Sequence, residues 1–183
     1  MNAINSRYKQ RGTFMIEFAI VGLFFSLFLV FCGDIVIKLS TQGKLDRLSF
    51  SAVSVLKERT QLFDADFTLT EAEADSLFTI IQNSLTRTIG SFEASQLGVR
   101  IEEQTYDNAD LANALAVYNR GAQQCSVTET LSDIESNLAV ITTWGRMSSL
   151  YRVTICYETD NWIGDLMDVD FTTVSSTSVM VGR

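Results

Sequence analysis

The chain has 183 residues, 46% of them apolar and 20% charged, and a formal net charge of -8. That is enough apolar material for a packed core, and the acidic balance argues against nucleic acid as a partner, because neutralising phosphates takes clustered cations. There is no His and no Pro, which removes histidine-based nucleophile systems, His-ligated zinc and polyproline linkers.

The charge is unevenly placed. Arg7, Lys9 and Arg11 lie in a head without acids, whereas residues 64–183 carry 6 basic and 18 acidic side chains. Between head and body, residues 18–33 read FAIVGLFFSLFLVFCG, 16 positions without a charge, and the apolar character reaches back to Thr13 with only Glu17 interrupting. A helix over residues 13–33 would be about 31 Å long, one hydrocarbon thickness. The Phe, Leu, Ile and Val of this stretch contribute roughly -3 to -7 kcal/mol to insertion, against on the order of +3 kcal/mol for an acid at the centre and less near an end. Insertion wins with the carboxylate in place. The cations precede the segment while Asp34 follows it, and the first later cation is Lys38. The head therefore stays cytoplasmic and the acidic body crosses. A cleaved secretory signal fits less well, since the run is too long and ends in Phe31-Cys32-Gly33-Asp34 rather than in small residues.

Head and apolar segment meet at Arg11-Gly12-Thr13-Phe14-Met15-Ile16-Glu17-Phe18. A Gly closing a short basic leader, followed by an apolar run with a Glu five residues on, resembles the type IV prepilin processing site. Within that superfamily RGTFMIEFAIVGLF is similar to the TadE/TadF group of minor pilins, or pseudopilins, of tight-adherence (Tad/Flp) pilus systems, and most like TadF. The resemblance implies cleavage by a membrane prepilin peptidase between Gly12 and Thr13, which makes Glu17 the fifth residue of the mature chain. Thr13 stands where major pilins begin with an aromatic residue, and Phe14 follows it. The chemistry agrees. Gly12 lets the backbone enter a narrow protease cleft. Glu17 is a carboxylate at the edge of an apolar helix, where an ionised group needs a partner such as the new amine at Thr13 of a neighbouring subunit.

Past Asp34, apolar residues at 45, 48, 52, 55, 56, 62 and 63 keep close to a helical repeat, so the anchor helix is predicted to continue to about Arg59, with Gly43 a weak point. A second helix is predicted from Thr70, which forms a capping box with Glu73. Its stripe is Ala74, Leu77, Phe78, Ile81, Leu85 and Ile89, and Gly90 is placed to end it. Residues 97–106, 149–157 and 171–181 read as strands and residues 131–138 as a short helix.

Cys32 lies in the apolar span, whereas Cys125 and Cys156 lie on the exported side, where disulfides persist. Pairing them would close a loop of about 30 residues and stabilise the body by about 3.5–4 kcal/mol. The segment LYRVTICYETDNW, residues 150–162, is similar to the C-terminal region of TadF-like proteins. No CxxC spacing supports a catalytic or metal-binding thiol pair. Glu158, Asp160, Asp165, Asp168 and Asp170 crowd together, but without EF-hand spacing they read as a solvated acidic loop rather than a Ca²⁺ site.

These readings predict an α+β protein: a basic leader over residues 1–12, a transmembrane helix over 13–34, and a periplasmic body over 35–183 with helices and an antiparallel sheet. The resemblance implies a non-enzymatic subunit without cofactor, which acts in assembly of Tad/Flp pili for adherence and biofilm formation. Its partners would be the prepilin peptidase, other pilin or pseudopilin subunits, the inner-membrane assembly platform and the membrane itself, in a single-pass inner-membrane topology. The rival readings are a minor pseudopilin of a type II secretion or competence system, and a membrane-tethered periplasmic binding domain that is never processed.

Overall fold

The computed structural model describes residues 10–58, 68–108, 111–143, 145–160, 162, 164 and 172–182. In chain order the elements are α1 (Gln10–Lys57), α2 (Glu71–Thr88), a 3-10 turn (Ala94–Gln96), β1 (Leu97–Gln104), β2 (Tyr106–Asn108), β3 (Leu111–Ala112), β4 (Ala116–Gly121), α3 (Leu131–Leu138), β5 (Leu150–Glu158) and β6 (Thr173–Val181). The expected α+β class with a long first helix is what the chain forms. The helix runs through Gly43 without a break and ends at Lys57; Arg59, the expected end, lies outside the described residues, as does Phe171 at the start of the third expected strand.

The chain divides into two units, residues 1–38 with 161–171 and residues 39–160 with 172–183. In the first, α1 is apolar on every side: Phe14, Phe18 and Phe24 are each about two-thirds exposed, the pattern of a helix that offers its whole circumference to lipid. Ser26 donates to the Leu23 carbonyl at 2.8 Å, so its hydroxyl presents no open donor to that surface.

The second unit is a four-stranded antiparallel sheet in the order β4-β1-β5-β6, with α1 and α2 on one face and α3 against the other. Thr41, Leu45, Ser49, Ala52 and Leu56 form the buried stripe of α1, spaced by three or four residues as a helix face requires. On α2 the stripe is Ala74, Leu77, Ile81 and Leu85, all buried. Thr70 caps this helix, accepting from the Glu73 amide while Glu73 accepts from the Thr70 amide. Alternate residues of β1 (Leu97, Val99, Ile101) and β5 (Tyr151, Val153, Ile155, Tyr157) meet both stripes in one core. Ser49 of α1 lies 2.9 Å from the Ser176 hydroxyl and 2.8 Å from that of Ser178, which seats the helix against β6.

Gly98 of β1 stands opposite Cys156 of β5 and Gly121 of β4. A Cβ added at Gly98 would lie 2.2 Å from the Gln123 carbonyl oxygen and 2.8 Å from Cys156 Sγ; only Gly fits there. Gly121 has φ +91° and would press a Cβ to 2.2 Å from the Leu97 carbonyl oxygen. Gly98→Ala is therefore expected to cost about 3 kcal/mol through overpacking, a melting temperature roughly 6–12 °C lower, in circular dichroism melts of the full chain in detergent. The matched control is Gly90→Ala, where a Cβ meets nothing within 4 Å. Equal melting of the two variants would refute the packing argument.

Candidate functional site

Gly12 and Thr13 lie in the first turns of α1, and the described side chains of that helix begin at Phe14. Glu17 is exposed one turn beyond Thr13, between Phe14 and Ile20, which are 65% and 52% exposed. Among the described residues no cation pairs with it. An acid on this surface is unmatched by the described residues, and lipid offers no substitute for a counter-ion. The contrast is Asp34, the first acid after the apolar run, which pairs with Lys38 one turn on at 2.8 Å.

The second expected element is the disulfide, and the structure forms it: Cys125 and Cys156 are bonded, their Cα atoms 5.5 Å apart and 31 positions separated in sequence. It ties the segment after β4 to the sheet face opposite α1 and α2. Cys32 is free. Of the acidic cluster, Glu158 accepts from Gln123 Nε2 at 2.7 Å, while Asp165, Asp168 and Asp170 lie outside the described residues. Among the described residues no group of three or more Cys, Asp or Glu is placed to hold a metal ion.

Sequence reasoning missed a cluster on that same sheet face. Arg100 donates from Nε and Nη2 to Glu102 Oε1 at 2.9 and 2.7 Å. Arg152, directly across from Glu102 in the β1–β5 register, pairs with the other carboxylate oxygen and donates to the Glu129 carbonyl at 2.7 Å. Glu102 and Arg152 are both buried. Arg100 and Glu102 at i and i+2 would signal a shared strand face, but Arg152 joins them only once the register is known.

Charges elsewhere hold the body together. The Arg120 guanidinium is held above its usual pKa chiefly by the hydrogen bonds it donates to Glu71 and Asp75, a contact that fastens β4 to α2. Tyr106 is pushed up to about 12, first by burial and then by the Glu135 carboxylate. Asp133 sits below its usual pKa because Thr130 hydrogen-bonds its carboxylate, the cap of α3. What the described residues supply is an apolar helix with an exposed carboxylate and a body braced by ion pairs and a disulfide.

A family model described as TadF, "Putative tight adherence pilin protein F", matches residues 5–183. Among curated proteins none matches the chain, and none does among solved structures.

Proposed function

The chain belongs to the TadF family of tight adherence pilin proteins, and from that premise we propose that it is a minor pilin, cut after Gly12 by prepilin peptidase and then built into or priming a Tad pilus used for surface adherence and biofilm formation. The single observation that supports this most is Glu17: an exposed carboxylate on an apolar helix, five residues after Gly12, with no counter-ion among the described residues of its own chain. Cleavage between Gly12 and Thr13 creates a primary amine at the start of the same helix. In an assembly of parallel helices that amine on one subunit meets Glu17 of the next, and each neutralises the other in a medium that tolerates neither alone. The other subunits and the inner-membrane platform are the partners of this step, and the topology is head in the cytoplasm and body in the periplasm.

Identification of the mature N-terminus tests the proposal. Protein recovered from cells that contain the peptidase is expected to begin at Thr13, and intact-mass spectrometry will find it short of the first 12 residues. An intact Met1 head would overturn the processing step and leave an anchored, unassembled body.

A further inference from the structure

β6 ends one side of the sheet, and its outer edge is open. The Thr159 amide donates to the Thr172 carbonyl and the Gly182 amide to the Ser149 carbonyl, so the even-numbered positions of this strand face β5. The odd-numbered positions from Thr173 to Val181 turn their N–H and C=O groups outward. Gln42 donates to the Ser175 carbonyl at 2.9 Å. Among the described residues, the outward groups of Thr177, Val179 and Val181 have no hydrogen-bond partner. Edge strands are ordinarily blunted by brevity, charge, proline or a bulge. The opposite edge follows that rule, since β4 has six residues and carries Arg120. β6 does not: its nine residues, TVSSTSVMV, pair with β5 without a register shift and include no charged side chain.

Helix α1 flanks that edge. Gln42 reaches Ser175, Ser49 meets Ser176 and Ser178, and Ser54 meets Met180, so helix and strand run in the same direction. Phe50 stands one turn before Ser54 and one turn after Asp46, whose carboxylate accepts from Gln42 at 3.1 Å. It therefore lies on the line of the helix beside the open edge, and it is 58% exposed. Unpaired main-chain groups supply affinity for an added strand, and a neighbouring apolar side chain supplies selectivity. We propose that the outer edge of β6 takes an antiparallel strand from a partner protein: an extended segment free of acids, with apolar side chains at alternate positions laid against Phe50. Antiparallel pairing continues the sense of every ladder in this sheet. Acids are disfavoured by Asp46, exposed on the same side of α1, and by the net charge of -8. A second copy of the chain is not the occupant. A two-fold axis joining two β6 edges would set the two copies of α1 in opposite directions, and one bilayer does not receive both apolar spans that way.

The probe is acetyl-Lys-Val-Thr-Val-Thr-Val-Lys-amide, added to the full chain in detergent micelles, and the readout is amide hydrogen exchange resolved by NMR. In the free chain Thr177, Val179 and Val181 are expected to exchange fast, while Ser178 and Met180, which face β5, are protected. The peptide should slow the first three saturably, by about tenfold or more. With its valines toward Phe50, an antiparallel strand bonds β6 through its threonines, because directly opposed residues share a sheet face. N-methylation of both threonine amides should therefore abolish the protection, and N-methylation of the valine amides should not. Phe50→Gln should weaken the peptide by about tenfold and leave the melting temperature unchanged. Slow exchange of the three amides in the free chain would overturn the proposal, since the edge would then be closed by the chain itself. Protection that grows with protein concentration in the absence of peptide would overturn it in favour of a second copy. Equal protection by both methylated peptides, or loss only with the valine set, would refute the antiparallel strand. None of these outcomes bears on cleavage at Gly12.

Discussion

Cells whose only copy of the chain carries Glu17→Ala are expected to process it normally and to build no pili. The proposed scissile bond, between Gly12 and Thr13, lies four positions before the altered side chain, so a peptidase would still meet the Gly and the basic leader. Docking fails for an electrostatic reason. Removing one member of an ion pair in a medium of low dielectric leaves the other uncompensated, at about 3–5 kcal/mol, or roughly two to four orders of magnitude in the docking constant. Helical propensity does not offset this, since Ala is the best helix former and gains only a few tenths of a kcal/mol over Glu. Glu17→Gln separates charge from shape: it keeps the side-chain length and a hydrogen-bond acceptor, and it too should fail. Counting surface pili by electron microscopy, with the mature N-terminus measured in the same strains, reads both steps. Normal pili in either variant would show that Glu17 is a passenger at the membrane surface.

Removal of the disulfide has the largest expected effect on the body. Cys125→Ala with Cys156→Ala releases a closed loop of 31 positions, and the chain-entropy account puts the loss at about 3.5–4 kcal/mol. For a domain of this size that is roughly 7–16 °C in melting temperature. The full chain in detergent, melted with and without a reductant, should show the same drop as the double variant, and the variant should no longer respond to the reductant. A drop below about 2 °C would mean that the surrounding contacts hold the loop unaided. The two sulfurs and Gly98 also share space, because a Cβ at Gly98 collides with Cys156 Sγ as well as with the Gln123 backbone. Gly98→Ala should consequently cost less in the disulfide-free background than in the wild type, a coupling that a double-mutant cycle measures.

Much of the architecture is readable where one local rule is sufficient. The boundaries of α2 follow from the Thr70–Glu73 box and from a stripe ending at Ile89, and all of these residues take the expected places. The short helix over residues 131–138 appears where it was expected. The strand expected from Leu97 divides at Thr105, giving β1 and the separate β2. β4 was not legible, because Ala116-Val117-Tyr118-Asn119-Arg120-Gly121 is only half buried and carries a charge. Its place is fixed by tertiary contacts instead: Tyr118 donates to the Leu69 carbonyl, and Arg120 pairs with Glu71 and Asp75. The same divide runs through the charged residues. Glu17 announces itself as a lone acid in an apolar run. Arg152 does not, since what makes it unusual is a partner 50 positions earlier that only strand register brings alongside.

The contact between Ser49 and Ser176 spans 127 positions, and β6 follows every other described element in the chain. Synthesis from the N-terminus therefore makes the helix long before the strand that seals it. Until residues 173–181 are in place, β5 lacks one neighbour and Ser49 lacks its two hydroxyl partners. A polypeptide arrested upstream of Thr173 exposes an open strand edge, a feature by which quality-control proteases and holdases recognise unfinished clients. Folding of the body is thus timed by its C-terminal strand.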